Sequence, residues 1–283
     1  MTTTDIIPVP YEEGAYWRKG MKFGPEAVLK HFSQMREYSV RNKNYLDMDS
    51  VHISNPLYLS PYDRNQAFDT IQEKVTETLC QSQIPVLIGG DHSISYPAIK
   101  AVSNCYGSRN FGVLHFDAHS DTFGDVDGFR YHHGSMFRIL VEDKLVQEKN
   151  IIQFGIRGQV RADSVRYLYS AERTTVSMEE LIDNDFDIHS YISDSNIPYY
   201  ISFDIDFMDP AFAPGTGTPL PGGCTSTQVF QIIDQLKEYK ILGIDLVEVA
   251  PIYDPSDITS LLAANILHDM LTGLNFTTSS NNE

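Results

Sequence analysis

Short, continuous apolar runs alternate along the chain with longer stretches whose apolar residues recur every three or four positions, the pattern of buried strands separated by amphipathic helices. Pro85-Val-Leu-Ile-Gly-Gly90 is the clearest run; uninterrupted and ended by glycines, it predicts a parallel strand covered on both faces. Asp5 to Pro10, Phe111 to Phe116, Ile151 to Ile156, Pro198 to Phe203 and Ile241 to Pro251 predict further strands, with short ones near Val51 and Val176. Phe68, Ile71, Val75 and Leu79 lay an apolar stripe along a helix from Asp63 to Cys80. Gly24-Pro25 opens another, because proline suits a first helical turn, and Val28, Leu29 and Phe32 give it an apolar side. Ser177 with Glu180 caps one more helix, and Thr225 caps another that reaches about Tyr239. A helix after His133 is expected to run to about Val146, and one from Ser256 or Asp257 to Leu271.

The remaining segments read as connections. Gly14 to Gly20 is expected as a loop over the sheet edge, Thr122 to His132 as a loop and Arg157 to Ser164 as a polar link, while Arg41 to Tyr58 is poorly patterned. Asp209 to Gly223 is too rich in proline and glycine for a helix and too apolar for a solvated linker, so it predicts a stiff, packed loop. Residues after Phe276 read as a frayed tail. No repeat or linker divides the chain. The expectation is a single α/β domain over residues 1–283, a mostly parallel sheet covered by helices.

Candidate chemistry gathers where the strands end. The run ending at Phe116 leads into Asp117-Ala-His119-Ser-Asp121, and the run ending at Phe203 into Asp204-Ile-Asp206. His92 follows Gly90, and Glu248 lies near the end of the last run. In extended chain alternate side chains share a face, so Asp117, His119 and Asp121 are expected to project together by simple alternation. Open α/β sheets collect functional groups beyond the carboxyl ends of their strands, so these segments are expected to converge. Four buried carboxylates with no neighbouring Lys or Arg in sequence would be costly alone. Two divalent ions balance Asp117, Asp121, Asp204 and Asp206, while His92 and His119 add neutral nitrogens. Oxygen-rich ligation with one imidazole per ion suits Mn²⁺ better than zinc.

Each piece taken singly has a plainer reading. An Asp-x-Asp after a strand commonly caps a turn, and Glu248 could be a salt-bridged structural acid. His115 reads as a core imidazole or one touching a ligand, and His132 as solvated or hydrogen-bonded. Gly89-Gly90 is a weak phosphate-loop signal, since no Gly-Lys-Ser/Thr follows.

Charge narrows the partners. With 21 Lys and Arg against 38 Asp and Glu, a net charge of -17 and a pI near 4.8, the chain is unsuited to nucleic acid or an anionic membrane and compatible with a small cationic substrate. Three scattered cysteines and no long apolar run fit a cytoplasmic protein without a disulfide framework.

In order, Gly89-Gly-Asp-His92-Ser, Asp117-Ala-His-Ser-Asp121, His133-Gly-Ser-Met-Phe-Arg138, the stretch Ser202 to Pro219 and Val247-Glu-Val-Ala-Pro251 resemble the ureohydrolase family, which includes arginases, agmatinases and guanidino-acid hydrolases. The resemblance covers nearly the whole chain. It implies a three-layer arginase-type fold, two Mn²⁺ per subunit, a homotrimer or homohexamer, and hydrolysis of a guanidinium to urea and an amine. It also implies that His92, Asp117, Asp121 and Asp204 serve one ion, that His119, Asp117, Asp204 and Asp206 serve the other, and that Asp117 and Asp204 bridge. Glu248 resembles the acid that binds the guanidinium, His133 the histidine that relays a proton at the pocket mouth, and Asp121 a proton acceptor after attack. The Pro214-Gly-Thr-Gly-Thr-Pro219 loop and Glu248-Val-Ala-Pro-Ile-Tyr-Asp254 look closest to agmatinases, so agmatine is the expected substrate. 4-Guanidinobutyrate and 3-guanidinopropionate are the alternatives, and a non-catalytic metal-binding protein is a more distant one. Between them the loop holds both signs: Asp125 and Asp127 could attract an ammonium, whereas Arg130 or Arg138 could hold a carboxylate, with Arg138 read first as pairing with a surface or neighbouring-subunit acid.

Overall fold

The computed structural model describes residues 3–192 and 194–278, so the expected tail from residue 279 onward lies outside the described residues. In chain order the strands are β1 (Thr3–Val9), β2 (Tyr38–Ser39), β3 (Asn44–Tyr45), β4 (Val51–Ile53), β5 (Gln83–Gly89), β6 (Gly112–Phe116), β7 (Ile151–Ile156), β8 (Thr174–Ser177), β9 (Tyr199–Asp204), β10 (Lys240–Val247) and β11 (Asn275–Phe276). The α-helices are α1 (Gly24–Phe32), α2 (Arg64–Cys80), α3 (Ser95–Tyr106), α4 (Met136–Glu142), α5 (Val165–Leu168), α6 (Met178–Asp183), α7 (Ser226–Leu236) and α8 (Ile258–Gly273). One sheet runs in the order β4-β1-β5-β10-β9-β6-β7-β8, with β11 added beside β10. Every pairing in it is parallel. Only β2 and β3 form a separate antiparallel strand pair among the described residues, β2 just before the poorly patterned segment and β3 inside it.

Alternation along the strands feeds two cores. Ile7, Leu87, Val113 and Tyr200 face α2, α3 and α4, while Ile6, Val86, Leu114, Ile201 and Ile244 face α1, α6, α7 and α8. The α2 stripe Phe68, Ile71, Val75 and Leu79 is buried as its spacing predicts; each such side chain contributes roughly 1.5–3 kcal/mol. Asp63, Ser177 and Thr225 cap α2, α6 and α7 with their side-chain oxygens. The result is a three-layer α/β fold with a mostly parallel central sheet.

Three expectations change in detail. The helix after His133 begins as a 3-10 turn and ends at Glu142, short of Val146, because Lys144 takes a left-handed φ of 58°. The last long strand stops at Val247 rather than Pro251, because Glu248 turns to a φ of 65°. The loop at Gly14 crosses the carboxyl end of β5 instead of the sheet edge: the Gly14 and Ala15 N–H groups donate to Asp91 Oδ2 at 2.7 and 3.0 Å, and His133 N–H donates to Gly14 O at 3.0 Å.

Candidate metal centre

Four adjacent strands in the middle of the sheet, β5-β10-β9-β6, aim their carboxyl ends at one place. They deliver His92, Glu248, Asp204 with Asp206, and Asp117 with His119 and Asp121. The expected mechanism of convergence needs correcting. Residues 117–121 are not extended. The His119 N–H donates to Asp117 Oδ1, and Asp121 adopts a φ of 49°, so the chain turns its ligands inward. Asp204 likewise accepts from the Asp206 N–H at 2.7 Å across a short 3-10 turn.

The side chains meet in two groups. His92 Nδ1 lies 3.1 Å from Asp117 Oδ2, 3.0 Å from Asp121 Oδ2 and 3.2 Å from Asp204 Oδ2. His119 Nδ1 lies 3.0 Å from Asp206 Oδ2 and 3.4 Å from Asp117 Oδ1. Asp117 therefore shows one oxygen to each group. All are buried except His119, which keeps some exposure.

Proton accounting shows that this donor set fits a cation. The Ser202 hydroxyl donates to Asp245 Oδ1 at 2.7 Å, so its oxygen accepts from His92 Nε2–H at 2.9 Å. The neutral ring then leaves a lone pair on Nδ1, which finds no hydrogen-bond partner among the described residues despite three carboxylates around it. Burial, and then repulsion from Asp206 and Asp117, pushes the Asp204 carboxyl well above its usual range. Burial and Asp117 push Asp121 up to about 6, and burial and Asp117 also raise Asp206. Burial opposes a proton on His92, but Asp117, Asp121 and Asp204 more than offset it, so the ring is drawn well above its ordinary value. The site thus favours positive charge at His92 Nδ1, which a bound cation in place of a proton would supply.

Glu248 and His133 stand beside this cluster. Glu248 Oε1 accepts the His92 N–H at 2.8 Å and His133 Nδ1–H at 3.0 Å. Glu248 Oε2 and His133 Nε2 are buried without a hydrogen-bond partner among the described residues. A Cβ at Gly217 would crowd Arg18 O at 3.2 Å and lie at ordinary contact distance, 3.6 Å, from that open Glu248 oxygen. Burial opposes a proton on His133, and Glu248 outweighs it, raising the ring. Tyr16 packs edge-on against His133 with ring centres 4.6 Å apart.

The structure does not bring Arg130 into this group. Its guanidinium pairs with Asp143 at 2.8 Å and Glu142 at 3.4 Å. Asp125 is spent on the Gly128 N–H at 2.6 Å. His115 touches a ligand, with Nε2 2.8 Å from Asp117 Oδ2. His132 is fully buried, not solvated, and bonds Gly124 O at 3.0 Å. Two functional residues escaped the sequence reading. Asp91, whose carboxyl is pushed up to about 6 by burial and Glu248, anchors the Gly14 loop; its only signal was adjacency to His92. Arg157 donates to Asp206 O at 2.7 Å and Leu220 O at 2.9 Å, tying the 209–223 loop to a ligand turn.

The parallel sheet thus gathers at its central strand ends two groups of His and Asp side chains able to hold a metal ion, with an open acid and histidine alongside. The chain belongs to the arginase family, whose model matches residues 3–273, and is one of its amidinohydrolases. It is 36% identical to the mitochondrial agmatinase of Gallus gallus over 94% of this chain and 79% of that protein. It is also 36% identical to the mitochondrial guanidino acid hydrolase of Homo sapiens, over 95% and 77% respectively. Its fold is similar to the solved proclavaminate amidinohydrolase of Streptomyces clavuligerus, with a TM-score of 0.86 and 34% identity over 95% of this chain and 91% of that one.

Proposed function

We propose that the chain hydrolyses agmatine to urea and putrescine at a pair of Mn²⁺ ions. His92, Asp117, Asp121 and Asp204 would hold one ion and His119, Asp117, Asp204 and Asp206 the other, with Asp117 and Asp204 shared. Bound there, the ions supply the Lewis acidity that makes water a nucleophile near neutral pH. Glu248 Oε2 receives the planar guanidinium through charge-assisted hydrogen bonds. Asp121 accepts a proton, and His133 passes one from Nε2 to the departing amine. The observation that carries this reading is the juxtaposition of the cation-favouring cluster with the open oxygen of Glu248. Manganese is favoured by the carboxylate-rich donor set. In this reading the protein is cytoplasmic and assembles as a homotrimer or homohexamer; no helix among the described residues is long and apolar enough to cross a membrane.

Commitment of Arg130 to Asp143 and Glu142 supports agmatine, because it withdraws that cation from a substrate carboxylate. One observation favours a guanidino acid such as 4-guanidinobutyrate or 3-guanidinopropionate instead. Arg161 lies 5.9 Å from the Phe123 ring, and its charge acts on Tyr16 and His132 beside the site; its Nε donates to Asp163 Oδ1 at 3.2 Å, so only the rest of its guanidinium is free to turn toward a carboxylate. The ratio of kcat/KM for agmatine to that for 4-guanidinobutyrate decides between them. A ratio above one is expected. A ratio below one, with the guanidinobutyrate activity lost in Arg161→Ala, would move the assignment to the guanidino acids.

A further inference from the structure

A row of buried polar side chains crosses the sheet beneath the site. Asp245 of β10 pairs in register with Ser202 of β9, Ser202 with His115 of β6, and His115 with Gln153 of β7. All four are fully buried. Arg173, just ahead of β8, closes the row: Nη1 donates to Gln153 Oε1 at 3.0 Å and Nη2 to Phe137 O at 3.3 Å.

A guanidinium has only donors, which forces the direction of every later bond. Gln153 must turn its oxygen to Arg173 and its amide nitrogen to Ser120 O at 2.7 Å and His115 Nδ1 at 2.8 Å. The carbonyl of Ser120 can only accept, which agrees. His115 Nδ1 then receives an N–H and carries none, so the neutral ring holds its proton on Nε2, facing Asp117 Oδ2 at 2.8 Å. Phe137 stacks on the ring with centres 3.8 Å apart and fixes its plane. At the other end of the row, Asp245 and Ser202 leave His92 Nδ1 as a lone pair. Two imidazoles 5.1 Å apart therefore receive opposite polarity.

His115 lies with His92, Asp117 and Asp121 close enough to hold one cation together. We propose instead that Arg173 and Gln153 are positioning residues: they hold His115 as an Nε2–H donor that fixes Asp117 in its shared place, and His115 is not a metal ligand. The proposal rests on reading the site as a divalent-metal centre. Hydrogen-bond partners of this kind set ligand orientation, and losing one typically costs 10–100-fold in metal affinity.

The test uses the full chain in two measurements. In ¹⁵N-histidine-labelled, metal-free wild type, two-bond ¹H–¹⁵N correlation reads the His115 tautomer, assigned by its absence in His115→Gln. The Nε2–H form is expected, switching to Nδ1–H in Gln153→Glu, whose carboxylate can only accept. Mn²⁺ titration, with free ion read by electron paramagnetic resonance, is expected to give two sites in wild type and in His115→Gln, which keeps an N–H toward Asp117. His115→Phe and Gln153→Glu should bind about 10–100-fold more weakly. An Nδ1–H tautomer in wild type, or loss of one ion in a folded His115→Gln, overturns the proposal while the metal reading stands. Wild type that binds no Mn²⁺ overturns both.

Discussion

At the scale of single residues, the proposed function separates groups that would hold a cation from groups that would face the substrate. Glu248 belongs to the second kind: one oxygen is spent on His92 N–H and His133, and the other is open. Its left-handed backbone, like that of Asp121, is the kind of strain that persists where surrounding structure enforces it. Glu248→Gln is expected to keep both ions and lose roughly 30- to 5,000-fold in kcat/KM, since removing one partner of a buried charge pair costs about 2–5 kcal/mol. His133→Ala should lower kcat by about 10²–10⁴ while metal content is unchanged; metal loss in that variant would show that His133 supports the ions. Asp117→Asn should lose Mn²⁺ and activity together, and two tightly held ions in it would contradict the sharing of that carboxylate. The clustering of the proposed ligands was legible in the sequence because each follows an apolar run that ends abruptly. Gln153 and Arg173 were not, because their meaning depends on strand register, which brings Gln153 beside His115 from 38 residues away.

At the scale of elements, the Pro/Gly-rich loop shows how a segment without regular structure is made rigid. Arg157 spends its guanidinium on the carbonyls of Asp206, Met208, Leu220 and Pro221, binding the loop to the Asp204–Asp206 turn. A lysine cannot reproduce that planar fork. Arg157→Lys is expected to cost about 2 kcal/mol or more in a urea unfolding series and to weaken Mn²⁺ binding, since bonds from a charged donor each contribute about 1.5–3 kcal/mol. Thr225→Ala removes the cap of α7 without touching any carbonyl that Arg157 binds; it should cost about 1 kcal/mol and leave Mn²⁺ affinity unchanged. Equal effects on metal affinity in the two variants would refute a special role for Arg157. Strands and the α2 stripe could be read directly from periodicity. The short reach of α4 and the small β2–β3 pair could not, since a left-handed lysine and a two-residue pairing leave no periodic trace.

At the scale of the whole molecule, the acidic chain folds around buried carboxylates whose mutual repulsion a proton or a bound metal ion relieves. Burial and carboxylate neighbours raise Asp121 to about 6 and push Asp204 well above its usual range, against an unfolded value of about 3.9. In the metal-free chain the folded state therefore holds protons that the unfolded state has released. Stability from Asp121 is full below about pH 4 and is lost as pH rises to about 6, with Asp204 adding a loss of the same sign. Mn²⁺ binds the deprotonated site and stabilises by mass action. Mn²⁺ should accordingly raise the melting temperature more at pH 7 than at pH 5, and an equal rise at both would contradict this linkage. The most direct test of the whole account is urea release from agmatine by the chain stripped of metal and then reloaded with Mn²⁺. Two Mn²⁺ bound per chain, with urea formed only after reloading, is the predicted result; urea formed equally by the stripped protein, or none after two ions are bound with any of agmatine, 4-guanidinobutyrate, 3-guanidinopropionate or L-arginine, would contradict it.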